Sequence, residues 1–486
     1  MCSRSFSKLC LLLVLAMGSA MAAPPPELRD AISRRLADPV LAGARIGIYI
    51  QSLRDGDFWY TSHEFEPFIP ASNAKIFTAA MAVHFLTPNY VFHTQLYTDG
   101  EVKNGELEGN LYLRGGGDPT LDVSRLRELR QYIPARKIAG RLYLDDSFFS
   151  QSGPLRGPWE QEDYSWGYAA PSSALSCEGN AETLIIRGVH DGQPASLSLT
   201  PDDKLMTVVN QAKTANNAQP SDLTVAVHDH HILVTGKLPP SPSPDANCST
   251  AAAQTKAFES SITEHFSVDD PTLFTGKLFR SVLAQEGITV GADGLRRVDP
   301  QRVRMLGEVQ TSLFNSSIPA RMMGDSDNLY AEQLRWTMLA LKRQDQPLKL
   351  RYDALLQDFQ RDVDMQLSGM RLVDGSGLSR ENRLSPFAIA RCLIYLKHIP
   401  DGAVITRALP TAGMSGTLRE RMVGTPAAFN AQAKTGTMRG VSALSGYVYT
   451  ADHEPLVFSI LVNDCRHTAD ARKLQDDLVS MLAASK

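Results

Sequence analysis

The sequence predicts an α/β (α+β) protein: one antiparallel sheet flanked by helices on both faces, interrupted by a long β-rich insertion. Three observations predict it. Strand-like alternation appears near both ends of the chain, in "ARIGIYIQSL" and in "ALSGYVYTADHEPLVFSILVND". Helical apolar spacing dominates from Ser317 to Leu396. Between them, from about Val91, the texture is short strands and turns, as in "HTQLYTDGEVKNGELEGNLYLRGGGDPT" and "LTVAVHDHHILVTG".

The elements follow in order. The first residues, "MCSRSFSKLCLLLVLAMGSAMAAPPP", place Arg4 and Lys8 before an apolar run and end it in small residues. Residues 1–22 therefore read as a signal peptide cleaved near Ala22. Lipidation needs a cysteine at the end of such a run, and Cys10 stands at its beginning. The run is too short to span a bilayer, and no later stretch reaches about 18 apolar residues. The expectation is an exported, periplasmic chain with no transmembrane helix in its mature part. Loss of Arg4 and Lys8 takes the formal charge from -4 to -6, and nothing in that balance points to nucleic acid.

"ARIGIYIQSL" and "GDFWYTSH" flank an Arg-Asp-Gly turn and predict an opening hairpin. A helix runs from Ser72 to about Leu86, closed by Thr87-Pro88. The chain ends as strand, strand and helix, the last being the amphipathic "ARKLQDDLVSMLAA", expected to cover the sheet. One catalytic domain is expected from residues 23–94 and 300–486. Residues 95–299 are expected to form two β-rich subdomains, about 95–119 with 210–299 and about 120–209.

Cys2 and Cys10 leave with the signal, and no C-x-x-C metal pair occurs among Cys177, Cys248, Cys392 and Cys465. Sequence spacing leaves the pairing of Cys177 with Cys248 open. Cys392, within the apolar "IARCLIYL", is expected to be a buried thiol.

The chemistry is concentrated in three short motifs. In "PASNAKIFTAA", Ser72 and Lys75 are three residues apart and share one helix face. A serine hydroxyl needs a base to become a nucleophile, and a lysine with a lowered pKa can serve. "GDSDNLYAEQL" sets Ser326-Asp327-Asn328 just before a helix, and "AQAKTGTMRG" sets Lys434-Thr435-Gly436-Thr437 on a predicted strand. Singly these residues read as a loop hydroxyl, a helix cap and a solvated strand lysine. In this order, each in the right kind of element, they form the serine penicillin-recognising pattern.

Further stretches narrow the resemblance: "GGGDPTL" at Gly115–Leu121, "DDSFF" at Asp145–Phe149 and "DGSGLSRENRLSP" at Asp374–Pro386. The chain resembles the D-alanyl-D-alanine carboxypeptidase/endopeptidase family, low-molecular-mass penicillin-binding proteins with a long insertion after the nucleophile helix. The resemblance implies a β-lactamase/transpeptidase-like catalytic domain that hydrolyses peptidoglycan stem peptides through an acyl-enzyme and is acylated by β-lactams. It implies Ser72 as nucleophile, Lys75 as base, Ser326 as the proton relay to the departing amine with Lys434 supporting it electrostatically, and Asn328 as the residue orienting Lys75 and substrate. Backbone N–H groups of Ser72 and Thr437 would form the oxyanion hole, with Lys434, Thr435, Gly436 and Thr437 beside the substrate carboxylate. For a diaminopimelate side chain, it implies Asp163 and Arg380 as the charged pair, with Met438 and Trp159 as apolar walls. No metal or organic cofactor is expected.

Three other patterns carry no comparable chemistry. "HDHH" at His228–His231 lies between two strand patterns and reads as a hairpin turn, not a metal site. "GMSG" at Gly413–Gly416 falls short of G-x-S-x-G, and the glycines of "DGSG" lack the strand-to-helix setting of a phosphate cradle. The alternative functions are a β-lactamase, which needs an efficient deacylating base, and a non-catalytic peptidoglycan-binding relative.

Overall fold

The computed structural model describes residues 25–87, 89–149, 153–201, 206–228, 230–241, 261–313, 317–342, 348–365 and 367–486. The expected signal peptide, Pro88 of the expected helix stop, and Cys248 of the possible disulfide lie outside them.

A five-stranded antiparallel sheet organises the two ends of the chain. Its strands are β1 (Arg45–Ser52), β2 (Phe58–Ser62), β3 (Gln432–Met438), β4 (Val441–Tyr449) and β5 (Pro455–Asn463), in the order β3-β4-β5-β1-β2. The opening hairpin is β1-β2, and β1 also pairs along its whole length with β5. Alternation along the strands divides the apolar residues between two cores. Tyr49, Ala443, Tyr447, Val457 and Leu461 face one of them, built on α2 (Ala74–Leu86), α3 (Asn328–Lys342) and α4 (Pro386–His398). Ile48, Ile50, Leu444, Phe458 and Ile460 face the other, covered by α1 (Pro26–Leu36) and α5 (Thr468–Ala484). Leu474, Leu478 and Leu482 of α5 are fully buried there, so the terminal helix covers the sheet.

Helix α2 is the centre of the first core. It is apolar almost all round, and its residues from Ala74 to Val83 are all buried. Phe77 and Met81, fully enclosed, contribute about 1.5–3 kcal/mol each on burial. This packing fixes the first turn of the helix, and Ser72 with it.

The insertion builds its own sheets and cores. Strands at Asp293–Leu295, Leu142–Asp145, Leu111–Arg114, Val91–Thr98 and Arg304–Ser312 form one five-stranded sheet, against which helix Pro271–Gln285 packs. A three-stranded sheet (Ser196–Thr200, Ala181–Arg187, Ile262–Ser267) and a four-stranded one share a core at Leu184, Ile186, Ile232 and Phe266. These sheets divide the chain differently from the expected 95–119/210–299 and 120–209 grouping. Arg304–Ser312, placed by sequence in the catalytic domain, pairs with Val91–Thr98 across the expected boundary. Residues 181–187 pair with 262–267, so those two stretches share a sheet. Strand pairing over such separations carries no local sequence signal. His228 and His231 are paired at the end of a hairpin, and no metal-ligand cluster occurs among the described residues.

Candidate active site

Ser72 lies in the 3-10 turn Ala71–Asn73 that leads directly into α2. Ala71, immediately before it, has φ 45°, a sparsely populated conformation of the kind found at functional turns. The turn is held from two sides. Asn73 Nδ2 donates to the Lys434 carbonyl at 3.1 Å, tying it to edge strand β3. Gly377 backs it so closely that a Cβ there would stand 2.0 Å from the Ala71 carbonyl oxygen. Gly436 permits the same approach from β3, where a Cβ would stand 2.9 Å from the Pro70 oxygen.

Lys75, one turn into the helix, is fully buried. Its Nζ donates to Ser72 Oγ at 2.9 Å, to Asn328 Oδ1 at 2.6 Å and to the Ser376 carbonyl at 2.7 Å. Burial pushes its pKa down to about 8, against an opposing pull from Asp374, Asp327 and Glu332. Burial, and no neighbouring cation, lowers it. The charge effect acts on Lys434, whose pKa burial holds well below the ordinary lysine range while Lys75 pushes it the same way.

Lys434 projects from β3 and donates to Ser326 Oγ at 2.7 Å. Ser326 has φ 65°, in the left-handed region, at the bend that starts α3. Two Ser–Lys pairs therefore meet in one cleft, whose lining includes Ser72, Ser326, Asn328 and Thr437. One Asn328 Nδ2–H, expected to face the substrate, donates to the Tyr168 carbonyl at 2.8 Å. Thr435 Oγ1 donates to Thr417 Oγ1 at 2.7 Å, and Thr437 is exposed.

The insertion supplies one wall. Arg380, Asp163 and Met438 all line the cleft, with Glu160 and Glu162. The carboxylate beside Arg380 is Glu160, at 3.8 Å, while Asp163 accepts from the Tyr168 hydroxyl at 2.6 Å. Arg380 also donates to the Arg439 carbonyl at 3.1 Å. Trp159 does not wall the cleft. It is buried, and its indole N–H donates to Asp374 at 3.0 Å.

Sequence reasoning missed the support behind the site. Asp374 accepts the N–H groups of Gly377 at 2.8 Å and Ser379 at 2.6 Å, shaping the loop that backs the nucleophile turn. Glu332 accepts the N–H groups of Gly375 and Ser376, both at 2.8 Å. Nothing in the sequence ties Glu332 to that loop, which meets α3 only in the folded chain.

The chain resembles known proteins in sequence and in fold. The D-Ala-D-Ala carboxypeptidase 3 (S13) family matches residues 28–485. A D-alanyl-D-alanine carboxypeptidase of Actinomadura sp. (strain R39) is 32% identical, over 96% of this chain and 86% of its own. The fold is that of penicillin binding protein 4 from Haemophilus influenzae, with a TM-score of 0.75 at 23% identity, over 94% of this chain and 99% of that one. The same protein complexed with a novel β-lactam gives a TM-score of 0.68 at 23% identity, over 93% and 98%. The β-lactamase/transpeptidase-like fold expected from the sequence is therefore present, and with its family pattern spanning nearly the whole described chain, this protein belongs to the D-Ala-D-Ala carboxypeptidase 3 (S13) family.

Proposed function

We propose that the protein is a serine D-alanyl-D-alanine carboxypeptidase, with D-alanyl endopeptidase capacity, acting on peptidoglycan stem peptides and acylated by β-lactams. The observation that carries this reading is the buried Lys75 ammonium, 2.9 Å from Ser72 Oγ, with its pKa lowered to about 8. At neutral pH such a lysine has an accessible neutral form that can take the serine proton. The oxygen attacks the carbonyl of the penultimate D-alanine, and the developing oxyanion is stabilised by the backbone N–H groups of Ser72 and Thr437. Ser326, hydrogen-bonded to Lys434, relays to the departing amine the proton that Lys75 took from Ser72, which returns Lys75 to its neutral form. Water then releases the shortened peptide by the reverse sequence. A substrate carboxylate beside Thr435 and Thr437 would raise the depressed pKa of Lys434 and restore its charge when it is needed.

The cleft wall supports a site for a zwitterionic side chain such as that of diaminopimelate: Arg380 for its carboxylate, and Glu160, Glu162 and Asp163 for its ammonium. Residues 1–22 would direct the chain to the periplasm. No helix among the described residues is long and apolar enough to cross a membrane.

Labelling with a fluorescent penicillin, together with D-alanine release from a D-alanyl-D-alanine peptide, tests the reading. Both should occur with the intact protein and vanish in Ser72→Ala. An unlabelled, inactive intact protein would leave only the non-catalytic binding alternative. Rapid turnover of penicillin with no peptide hydrolysis would favour a β-lactamase.

A further inference from the structure

The Asn328 side chain is held at both ends. The two ends of an amide are nearly alike in shape, so its partners decide which way round it stands. The Lys75 ammonium only donates and takes Oδ1 at 2.6 Å, while the Tyr168 carbonyl only accepts and takes an Nδ2–H at 2.8 Å. The second Nδ2–H is left for a substrate carbonyl. The Tyr168 contact matters most once Lys75 is neutral, because a neutral amine can also accept. An amide turned end for end would then donate to the very lone pair that has to take the Ser72 proton. The Tyr168 carbonyl stands against that turn.

What holds this carbonyl lies within the insertion. Leu155 and Ser172 exchange two backbone hydrogen bonds, both 2.8 Å, and close residues 155–172 into a loop. Tyr168 sits in the 3-10 turn Gly167–Ala169 of that loop. The turn rests on strand Ile262–Ser267. Trp166 stacks on Phe266 with ring centres 5.5 Å apart, and a Cβ at Gly167 would stand 2.6 Å from the His265 Cβ. Arg156 ties these parts together. Its Nη1 donates to the Ala169 carbonyl at 2.6 Å and to the Tyr164 carbonyl at 3.4 Å. Its Nη2 donates to Ser267 Oγ at 3.4 Å, and the guanidinium lies over the Tyr164 ring, 4.6 Å from its centre. One planar cation therefore joins the turn, the loop and the strand, and it does so at the residue next to Tyr168.

We propose that Arg156 is a positioning residue of the active site: it fixes the turn whose Tyr168 carbonyl keeps the Asn328 amide the right way round for Lys75. The inference rests on the acyl-enzyme reading for what Lys75 does, and on the loop geometry for how Arg156 reaches it. Arg156 does not line the cleft, so its influence on the reaction passes through the groups it holds.

A double-mutant cycle on the full chain, read as the rate constant of penicillin acylation, tests this. Arg156→Met keeps an unbranched side chain and removes every one of these bonds. It should slow acylation by about tenfold or more, the scale of a small displacement in a catalytic constellation. Arg156→Lys, which can serve one carbonyl but not both with the ring, should recover part of the rate. In an Asn328→Ala background, the same changes at Arg156 should cost nothing further, because the amide they act through is gone. A residue that only supports the fold would slow both backgrounds by the same factor. Equal losses with and without Asn328, or an unchanged rate in Arg156→Met, overturn the proposal. Should Arg156→Met fail to fold, the cycle with Arg156→Lys carries the same two outcomes. An unmodified chain that takes no penicillin overturns the hydrolase reading and the positioning role with it, whereas equal losses in a chain that is acylated overturn the positioning role alone.

Discussion

Glu332 and Ser376 are joined by a 2.8 Å hydrogen bond, and it sets the third contact of the catalytic lysine. The Ser376 N–H donates to Glu332 Oε1, while the Ser376 carbonyl accepts from Lys75 Nζ at 2.7 Å. One buried carboxylate on α3 therefore aims the backbone that orients the base. Glu332→Gln keeps an oxygen to accept the Gly375 and Ser376 N–H groups and should preserve the fold and most of the acylation rate. Glu332→Ala leaves both donors unpaired in the interior. It should lower thermal stability and slow penicillin acylation by about 10²-fold, the scale of a small displacement in a catalytic constellation. Stopped-flow acylation and a melting curve of each variant check this.

The lowered pKa of Lys75 gives two pH dependences. Acylation needs its neutral form, so the rate should climb as pH rises through about 8 and level off above it. Lys75→Arg, which cannot deprotonate, should show no such limb and no acylation at any pH. Stability moves in the same direction for a different reason. The folded-state pKa lies below the ordinary 10.5, so the unfolded chain binds more protons between about pH 8 and 10.5. Unfolding free energy should therefore rise with pH across that window. Lys434, shifted the same way, adds to the rise. Denaturant titrations of Lys75→Met should show a smaller rise than the unmodified protein.

How much of this was legible in the sequence depends on how far each contact reaches along the chain. Ser72 and Lys75 were legible because helix geometry alone brings residues three apart together. The sheet was legible in its alternating strands, since the same pleat that buries Ile48 and Ile50 on one face turns Tyr49 to the other. Glu332 was not legible, because its partners Gly375 and Ser376 meet it only in the folded chain. Trp159 carried no mark that its indole N–H would serve Asp374. Asp163 and Arg380 line the same cleft, but the proximity of Glu160 to Arg380 carries no sequence signal. A 3-10 turn at Gln161–Asp163 turns Asp163 to the Tyr168 hydroxyl and leaves Glu160 nearer the guanidinium.

The two glycines around the nucleophile turn should differ in their tolerance of a side chain. At Gly377, φ is +85° and a Cβ would stand 2.0 Å from the Ala71 oxygen. That contact is with backbone, so relief requires the Ser72 turn to move. Gly377→Ala should abolish penicillin labelling even where the protein remains folded by circular dichroism. Gly436→Ala meets milder contacts, 2.9 Å from the Pro70 oxygen and 3.1 Å from the Ala71 and Ala443 methyl carbons. It should slow acylation without abolishing it. Labelling of Gly377→Ala at the rate of the unmodified protein would show that the turn is not held as described.

Arg380 tests the side-chain subsite. It reaches the cleft from the loop after Asp374, fixed by its bond to the Arg439 carbonyl at 3.1 Å and near Glu160 at 3.8 Å. The Glu160 contact is long and both side chains are part-exposed, so it contributes little stability. Arg380 is thus available to a substrate carboxylate, while Glu160, Glu162 and Asp163 leave acidic groups on the same wall for an ammonium. Arg380→Ala should reduce kcat/KM for a diaminopimelate-containing peptide by about tenfold or more, the scale of a lost charge-assisted hydrogen bond. Acylation by a simple penicillin, which lacks that side chain, should change little. Glu160→Gln should act in the same direction more weakly, because two other carboxylates line the wall. Equal losses for peptide and penicillin would mean that Arg380 supports the Asp374–Pro386 loop and, through it, the nucleophile turn, and the zwitterion site would have to be placed elsewhere.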